Sequence, residues 1–138
     1  MTSSEDTSES QSPKPRAIVA GHAGFAEGLV SAVQQIAGAG GVYVPLSNKG
    51  LSGEDIETMF KSEAEKNQIR VFFTDLPGGS ATLAVRRMMR LDSSIVLVTG
   101  TNLPTLLEFA FHGDEEPAAA ARRAAEKGSA CLSTHSAG

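Results

Sequence analysis

Two side chains, His22 and Asp75, stand where a short apolar run gives way to a glycine-containing turn. Ala17-Ile18-Val19-Ala20-Gly21 delivers His22 to the start of an amphipathic stretch. Ile69 to Thr74 delivers Asp75 into Leu76-Pro77-Gly78-Gly79-Ser80, ahead of another. A neutral imidazole is a good nucleophile near neutral pH, its unperturbed pKa being about 6.5. A carboxylate on the second ring nitrogen would fix the tautomer and stabilise the charged ring that forms on phosphorylation. The amides of Gly78, Gly79 and Ser80, at the start of a helix, would converge on an anion, and the Ser80 hydroxyl adds a donor. Separately each signal is weak, because a strand-end histidine often caps a helix and Gly-Gly-Ser is an ordinary turn. Together they describe a site for moving a phosphoryl group.

Such a site needs two neighbouring parallel strands, and the rest of the chain is patterned to supply them. Phe25, Leu29, Val33 and Ile36 form one helical stripe, ended by Gly38 to Gly41. Val42 to Leu46 reads as a short strand, which Pro45 assigns to a sheet edge because it lacks a ladder donor. Ser52 and Asp55 suggest a capping box before Ile56, Met59, Phe60 and Ala64. Ile69 to Thr74 is a third strand, followed by a helical stripe of Ala81, Ala84, Val85, Met88 and Met89. The continuous apolar run Ile95 to Thr99 reads as a fourth strand buried on both faces. Helices follow from Thr105 to Phe111, with Pro104 near the first turn, and from Ala118 to Lys127.

This alternation predicts an α/β fold, a doubly wound and mostly parallel sheet with helices on both faces. Right-handed crossovers and an edge position for the second strand favour the order 2-1-3-4. The winding then reverses between the first and third strands, where ligands bind outside the carboxyl ends. His22 and Asp75 both fall at that reversal.

Composition narrows the function classes. A chain of 138 residues fits one domain with a real core. Twelve basic against sixteen acidic side chains give a formal charge of −4, and there is no long basic run, which argues against nucleic acid as a partner. The single Cys131 allows no internal disulfide and no zinc spacing. No apolar run approaches the roughly 18 residues that span a bilayer, and the N-terminus does not read as a signal peptide, so the expected location is cytoplasmic. Residues 1–16 are polar and acidic and are expected to be disordered; the domain is expected over 17–127, with 128–138 as a C-terminal tail. Gly21, Gly24 and Gly28 do not match a dinucleotide fingerprint, and no phosphate-binding P-loop is present. His112, at a helix end, reads as structural, and His135 has no evident partner. Arg86, Arg87 and Arg90 form a basic patch that could steer an acidic partner.

Three blocks carry a family resemblance: Ile18-Val19-Ala20-Gly21-His22-Ala23-Gly24, Phe73-Thr74-Asp75-Leu76-Pro77-Gly78-Gly79-Ser80, and Gly100-Thr101-Asn102-Leu103-Pro104-Thr105-Leu106-Leu107-Glu108. In order and separation they resemble the mannose-type enzyme IIA domain of the phosphoenolpyruvate-dependent sugar phosphotransferase system. The departures are modest: Pro77 stands where an aromatic residue is common, and Ala81 where proline is common. The resemblance implies that His22 accepts phosphate from the phosphocarrier HPr and donates it to an enzyme IIB. It further implies that Asp75 orients His22, and that Gly78, Gly79, Ser80 and the loop at Asn102 line the site. No metal or organic cofactor is required for this chemistry. The family's habit of forming homodimers implies that the segment around Ala130 to Thr134 could be a swapped C-terminal edge strand, and that any membrane contact is indirect, through the transporter. Two alternatives stay open on the same fold: a non-catalytic regulatory or anion-sensing domain, and the phosphoryl-transfer subunit of a dihydroxyacetone kinase.

Overall fold

The computed structural model describes residues 14–138. The expected disordered tail therefore lies, as far as residue 13, outside the described residues. Four strands, β1 (Ala17–Gly21), β2 (Tyr43–Ser47), β3 (Val71–Thr74) and β4 (Val96–Val98), form one sheet in the order β2-β1-β3-β4. Every pairing is parallel, with Val19 opposite Pro45 on one side and Phe73 on the other. Pro45 lies on an edge strand, where its missing N–H costs no ladder bond.

Alternation along the strands divides the apolar side chains between two layers. Ala17, Val19, Val71 and Phe73 face α1 (Phe25–Ala37), α4 (Leu103–Ala110) and α5 (Pro117–Ala130). Ile18, Ala20 and Phe72 face α2 (Gly53–Asn67) and α3 (Ser80–Leu91). Phe73 sits edge-on to both Tyr43 and Phe109, and Phe72 packs against Phe60, so aromatic rings anchor each layer at its centre. The Tyr43 hydroxyl donates to the Leu106 carbonyl, and burial pushes its pKa far above the usual phenol value.

Helix ends follow the sequence signals. Ser52 caps α2 by accepting from the Asp55 amide. Asn102 caps α4, and Gln68 ends α2 in the left-handed conformation. That cap makes β3 start at Val71 rather than Ile69, because the Ile69 amide is drawn back to the Ala64 carbonyl. β4 is not buried on both faces as its apolar run suggests. Val96 to Val98 are only half-buried, since the strand forms the sheet's second edge. Ile36, in the expected stripe of α1, is 60% exposed, whereas Val33 is fully buried.

The last helix runs past the point where the sequence reads as tail. α5 continues to Ala130, and Gly128 is buried inside it. A Cβ on Gly128 would lie 1.8 Å from Thr105 Oγ1 and 2.7 Å from Asn102 Oδ1. The Gly128 carbonyl also accepts from Asn102 Nδ2 at 2.9 Å, so the C-terminal turn of α5 lies directly on the first turn of α4. Gly128→Ala is expected to lower stability by about 1–3 kcal/mol through overpacking, despite alanine's better helix propensity. Urea unfolding checks this; a midpoint at or above that of the parent protein would contradict the contact. Cys131–Gly138 carry no regular structure in the single chain.

Candidate functional site

The carboxyl ends of β1 and β3 meet at the winding reversal, and each hands one functional group to the rim. His22 follows β1, and Asp75 follows β3. The Asp75 Oδ2 atom accepts from the His22 backbone amide at 2.9 Å and lies 2.8 Å from His22 Nδ1. A carboxylate can only accept, so Nδ1 carries the proton and the Nε2 lone pair is left free. The imidazole is 55% exposed while the Asp75 side chain is 11% exposed, so the carboxylate is covered and the ring is open. Burial pushes the Asp75 carboxyl up, but the bonds from the His22 ring and amide outweigh it and hold it below the usual carboxylate range.

That shift fixes the sign of a pH effect. A carboxyl lowered in the native state stabilises the fold fully above its unfolded value of about 3.9, and the gain is lost as pH falls through the native value. Asp75→Asn should therefore be less stable than the parent protein at pH 6, with the gap closing below about pH 4. Urea midpoints between pH 2 and pH 7 measure this; a pH-independent gap would contradict it.

Glycine is required at two points here. A Cβ on Gly21 would fall 2.7 Å from Asp75 Cγ and Oδ2 and 2.9 Å from Phe25 Cδ2, so only glycine lets the carboxylate fold back over the end of β1. Gly79 caps α3 with φ +92° and ψ 167°, a conformation open to little besides glycine. Its backbone flanks the imidazole: a Cβ there would lie 3.3 Å from His22 Cε1, the carbon between the two ring nitrogens. The opening amides of α3, which lack carbonyl partners within the helix, thus begin beside the imidazole.

The turn that carries Gly78 and Gly79 is braced from beneath. Thr82 Oγ1 donates to the Leu76 carbonyl at 2.6 Å and lies 2.7 Å from Thr74 Oγ1, with both threonines fully buried. Ser80 Oγ accepts from Asn48 Nδ2 at 2.6 Å. Asn48 follows β2, and its amide donates to the Gly21 carbonyl at 3.1 Å. Neither the threonine pair nor Asn48 stands out in the sequence; the one available signal for Asn48 is its place just past a strand that neighbours β1.

Among the expected site residues, His22, Asp75, Gly79 and Ser80 come together, with Gly78 in the same turn. Asn102 is engaged elsewhere: its Oδ1 accepts from the Thr105 amide and hydroxyl, and its Nδ2 donates to Gly128. The loop before it still reaches the rim, where the Thr101 amide donates to the Thr74 carbonyl at 3.1 Å. His112 lies between Glu108, at 2.8 Å, and Glu115, at 3.6 Å. Of the basic patch, Arg87 pairs with Glu57 and donates to the Gly53 carbonyl, while Arg86 and Arg90 are exposed. No helix among the described residues is long and apolar enough to cross a membrane.

The chain is thus an α/β domain with a parallel sheet in the order 2-1-3-4, a carboxylate-held histidine at the winding reversal and a glycine-capped helix beside it. The chain belongs to the EIIA-man family, described as the PTS system fructose IIA component, whose sequence pattern matches residues 16–126. Members of this family are phosphotransfer components of sugar phosphotransferase systems. The chain is similar in structure to the mannose/sorbose-specific IIA subunit of the phosphotransferase system from Enterococcus faecalis, with TM-score 0.75 and 20% identity over 90% of this chain and 96% of that one. It is also similar to the phosphotransferase system component EIIA from Streptococcus agalactiae, with TM-score 0.78 and 19% identity over 86% and 95% of the two chains. A third likeness is to the IIA protein associated with the fucose utilization operon of Streptococcus pneumoniae, with TM-score 0.74, 22% identity, and coverage of 89% and 94%. At these identities the likeness is one of fold. No curated protein matches the chain.

Proposed function

We propose that this chain is a cytoplasmic phosphohistidine carrier that accepts phosphate from HPr on His22 and passes it to an enzyme IIB. The observation that carries the reading is the contact of His22 Nδ1 with Asp75 Oδ2, 2.8 Å, which leaves Nε2 as the nucleophile. The Nε2 lone pair attacks the phosphorus of the donor's phosphohistidine, forming an N–P bond as the donor's P–N bond breaks. The electron pair of the broken bond returns to the donor ring nitrogen. The His22 proton stays on Nδ1, and the positive charge that develops on the ring is paired with Asp75. Gly78, Gly79 and Ser80 offer donors to the phosphoryl oxygens as they pass through the transition state, which is electrostatic preorganisation rather than covalent assistance. Onward transfer runs the same step in reverse toward the enzyme IIB.

The assembly is read as a homodimer. The half-buried β4 edge, flanked by Ala118, Ala121 and Ala125 of α5, offers a ladder to a partner's strand, and the unpaired Cys131–Gly138 segment is the available donor. The reading is tested by incubating the chain with phosphoenolpyruvate, enzyme I and HPr, then adding a cognate enzyme IIB. Expected is an acid-labile, base-stable mass gain of one phosphoryl group on the chain, which disappears as enzyme IIB gains it. A stable phosphate that no enzyme IIB can remove would instead support a regulatory domain.

A further inference from the structure

Ser80 has a hydroxyl whose orientation is set by a residue from a different loop. A hydroxyl has one proton to donate and two lone pairs to accept with. Asn48 Nδ2 occupies a lone pair at 2.6 Å, and an amide NH2 cannot accept in return. Among the described residues no acceptor takes the Ser80 proton. The hydroxyl is therefore turned with its proton away from Asn48, at the end of α3 that flanks the imidazole.

We propose that Asn48 is a positioning residue for phosphoryl transfer, polarising the Ser80 hydroxyl and aiming its proton at the phosphoryl group on His22. The proposal rests on the reading of His22 as the phosphate carrier. Tethering of the β2–α2 loop does not account for the contact. That loop is already pinned through backbone atoms, from the Asn48 amide to the Gly21 carbonyl and from the Leu51 amide to the Asn48 carbonyl. The side chain is left for Ser80. Its bond also has a direction that matters, since a donor at position 48 and an acceptor there would turn the Ser80 proton opposite ways.

The test compares Asn48→Ala and Asn48→Asp, each with Ser80 intact and with Ser80→Ala, on the full chain. Two donors are used: phosphorylated HPr, and phosphoramidate, which phosphorylates histidine without any partner protein. Asn48→Ala should slow phosphorylation of His22 about 3- to 10-fold, the worth of one ordinary hydrogen bond. Asn48→Asp should slow it more than about 10-fold, because a carboxylate takes the Ser80 proton for itself and repels the incoming phosphate. In the Ser80→Ala background Asn48→Ala should add nothing. Equal slowing in both backgrounds, or an Asn48→Asp variant as fast as the parent, would overturn the proposal. Thermal melting of each variant separates loss of fold from loss of rate, and folded variants alone are compared. Uptake from phosphoramidate without uptake from HPr would sink the HPr reading while the Asn48 comparison still stands. If neither donor phosphorylates the parent chain, both fall.

Discussion

His22→Ala should abolish phosphorylation of this chain while leaving its fold in place. The ring is more than half exposed, bonds to Asp75 and belongs to neither apolar layer, so truncating it opens no cavity in them. The backbone bond from residue 22 to Asp75 survives the substitution, because it comes from the amide. Stability should therefore fall by only about 1 kcal/mol, the net worth of the one ring hydrogen bond lost. Transfer, by contrast, has no substitute nucleophile. His112 is enclosed by Glu108 and Glu115, and His135 lies in the C-terminal segment beyond α5. Phosphate transfer from HPr, followed by intact mass, measures the effect; a gain of one phosphoryl group on the variant would remove His22 from the central role.

Asp75→Asn should slow phosphoryl transfer by about 10²- to 10⁴-fold, the upper figure being what loss of a histidine's orienting carboxylate costs in serine proteases. Three consequences combine. The amide can present its NH2 to Nδ1, which would strip the proton from that nitrogen and place it on Nε2, removing the attacking lone pair. The charge that develops on the phosphorylated ring loses its counter-ion, a carboxylate only 11% exposed. Both His22 bonds end on the one oxygen Oδ2, so the amide orientation that presents NH2 to Nδ1 also loses the bond from the His22 backbone, and the orientation that keeps both bonds carries no charge. Single-turnover transfer from HPr at pH 7 reads this directly, and a rate within twofold of the parent would show that the contact has no part in the chemistry.

The sheet order was legible because few devices decide it. Pro45 marks an edge strand, alternating strand and helix patterns demand parallel pairing, and right-handed crossovers do the rest. The partnership of His22 with Asp75 followed from that order, since it puts two strand ends side by side. β4 is less buried than its sequence suggests because Val96-Leu97-Val98 has the composition of a central strand while occupying an edge. Sequence composition records how apolar a strand is and not whether a neighbour exists beyond it. Gly128 opens a small, polar stretch that reads as a tail. Its absent side chain instead makes room for Thr105, a contact 23 positions away that no local pattern encodes. Asn48 and Thr82 were invisible for a related reason. Each acts through side-chain hydrogen bonds to residues placed by the fold, and neither alters the hydrophobic periodicity. Asn102 shows the converse, where a residue in a matching sequence block spends its polar atoms on Thr105 and Gly128.

The central claim concerns a single atom, the Nε2 of His22, made reactive because Nδ1 is occupied. Phosphorus–nitrogen coupling measured by NMR on 15N-histidine-labelled chain, phosphorylated through phosphoenolpyruvate, enzyme I and HPr, tests it most directly. The account predicts one phosphohistidine, with phosphorus coupled to Nε2 of His22 and a proton retained on Nδ1. Phosphate on Nδ1 of that ring, or on any other residue, would contradict it.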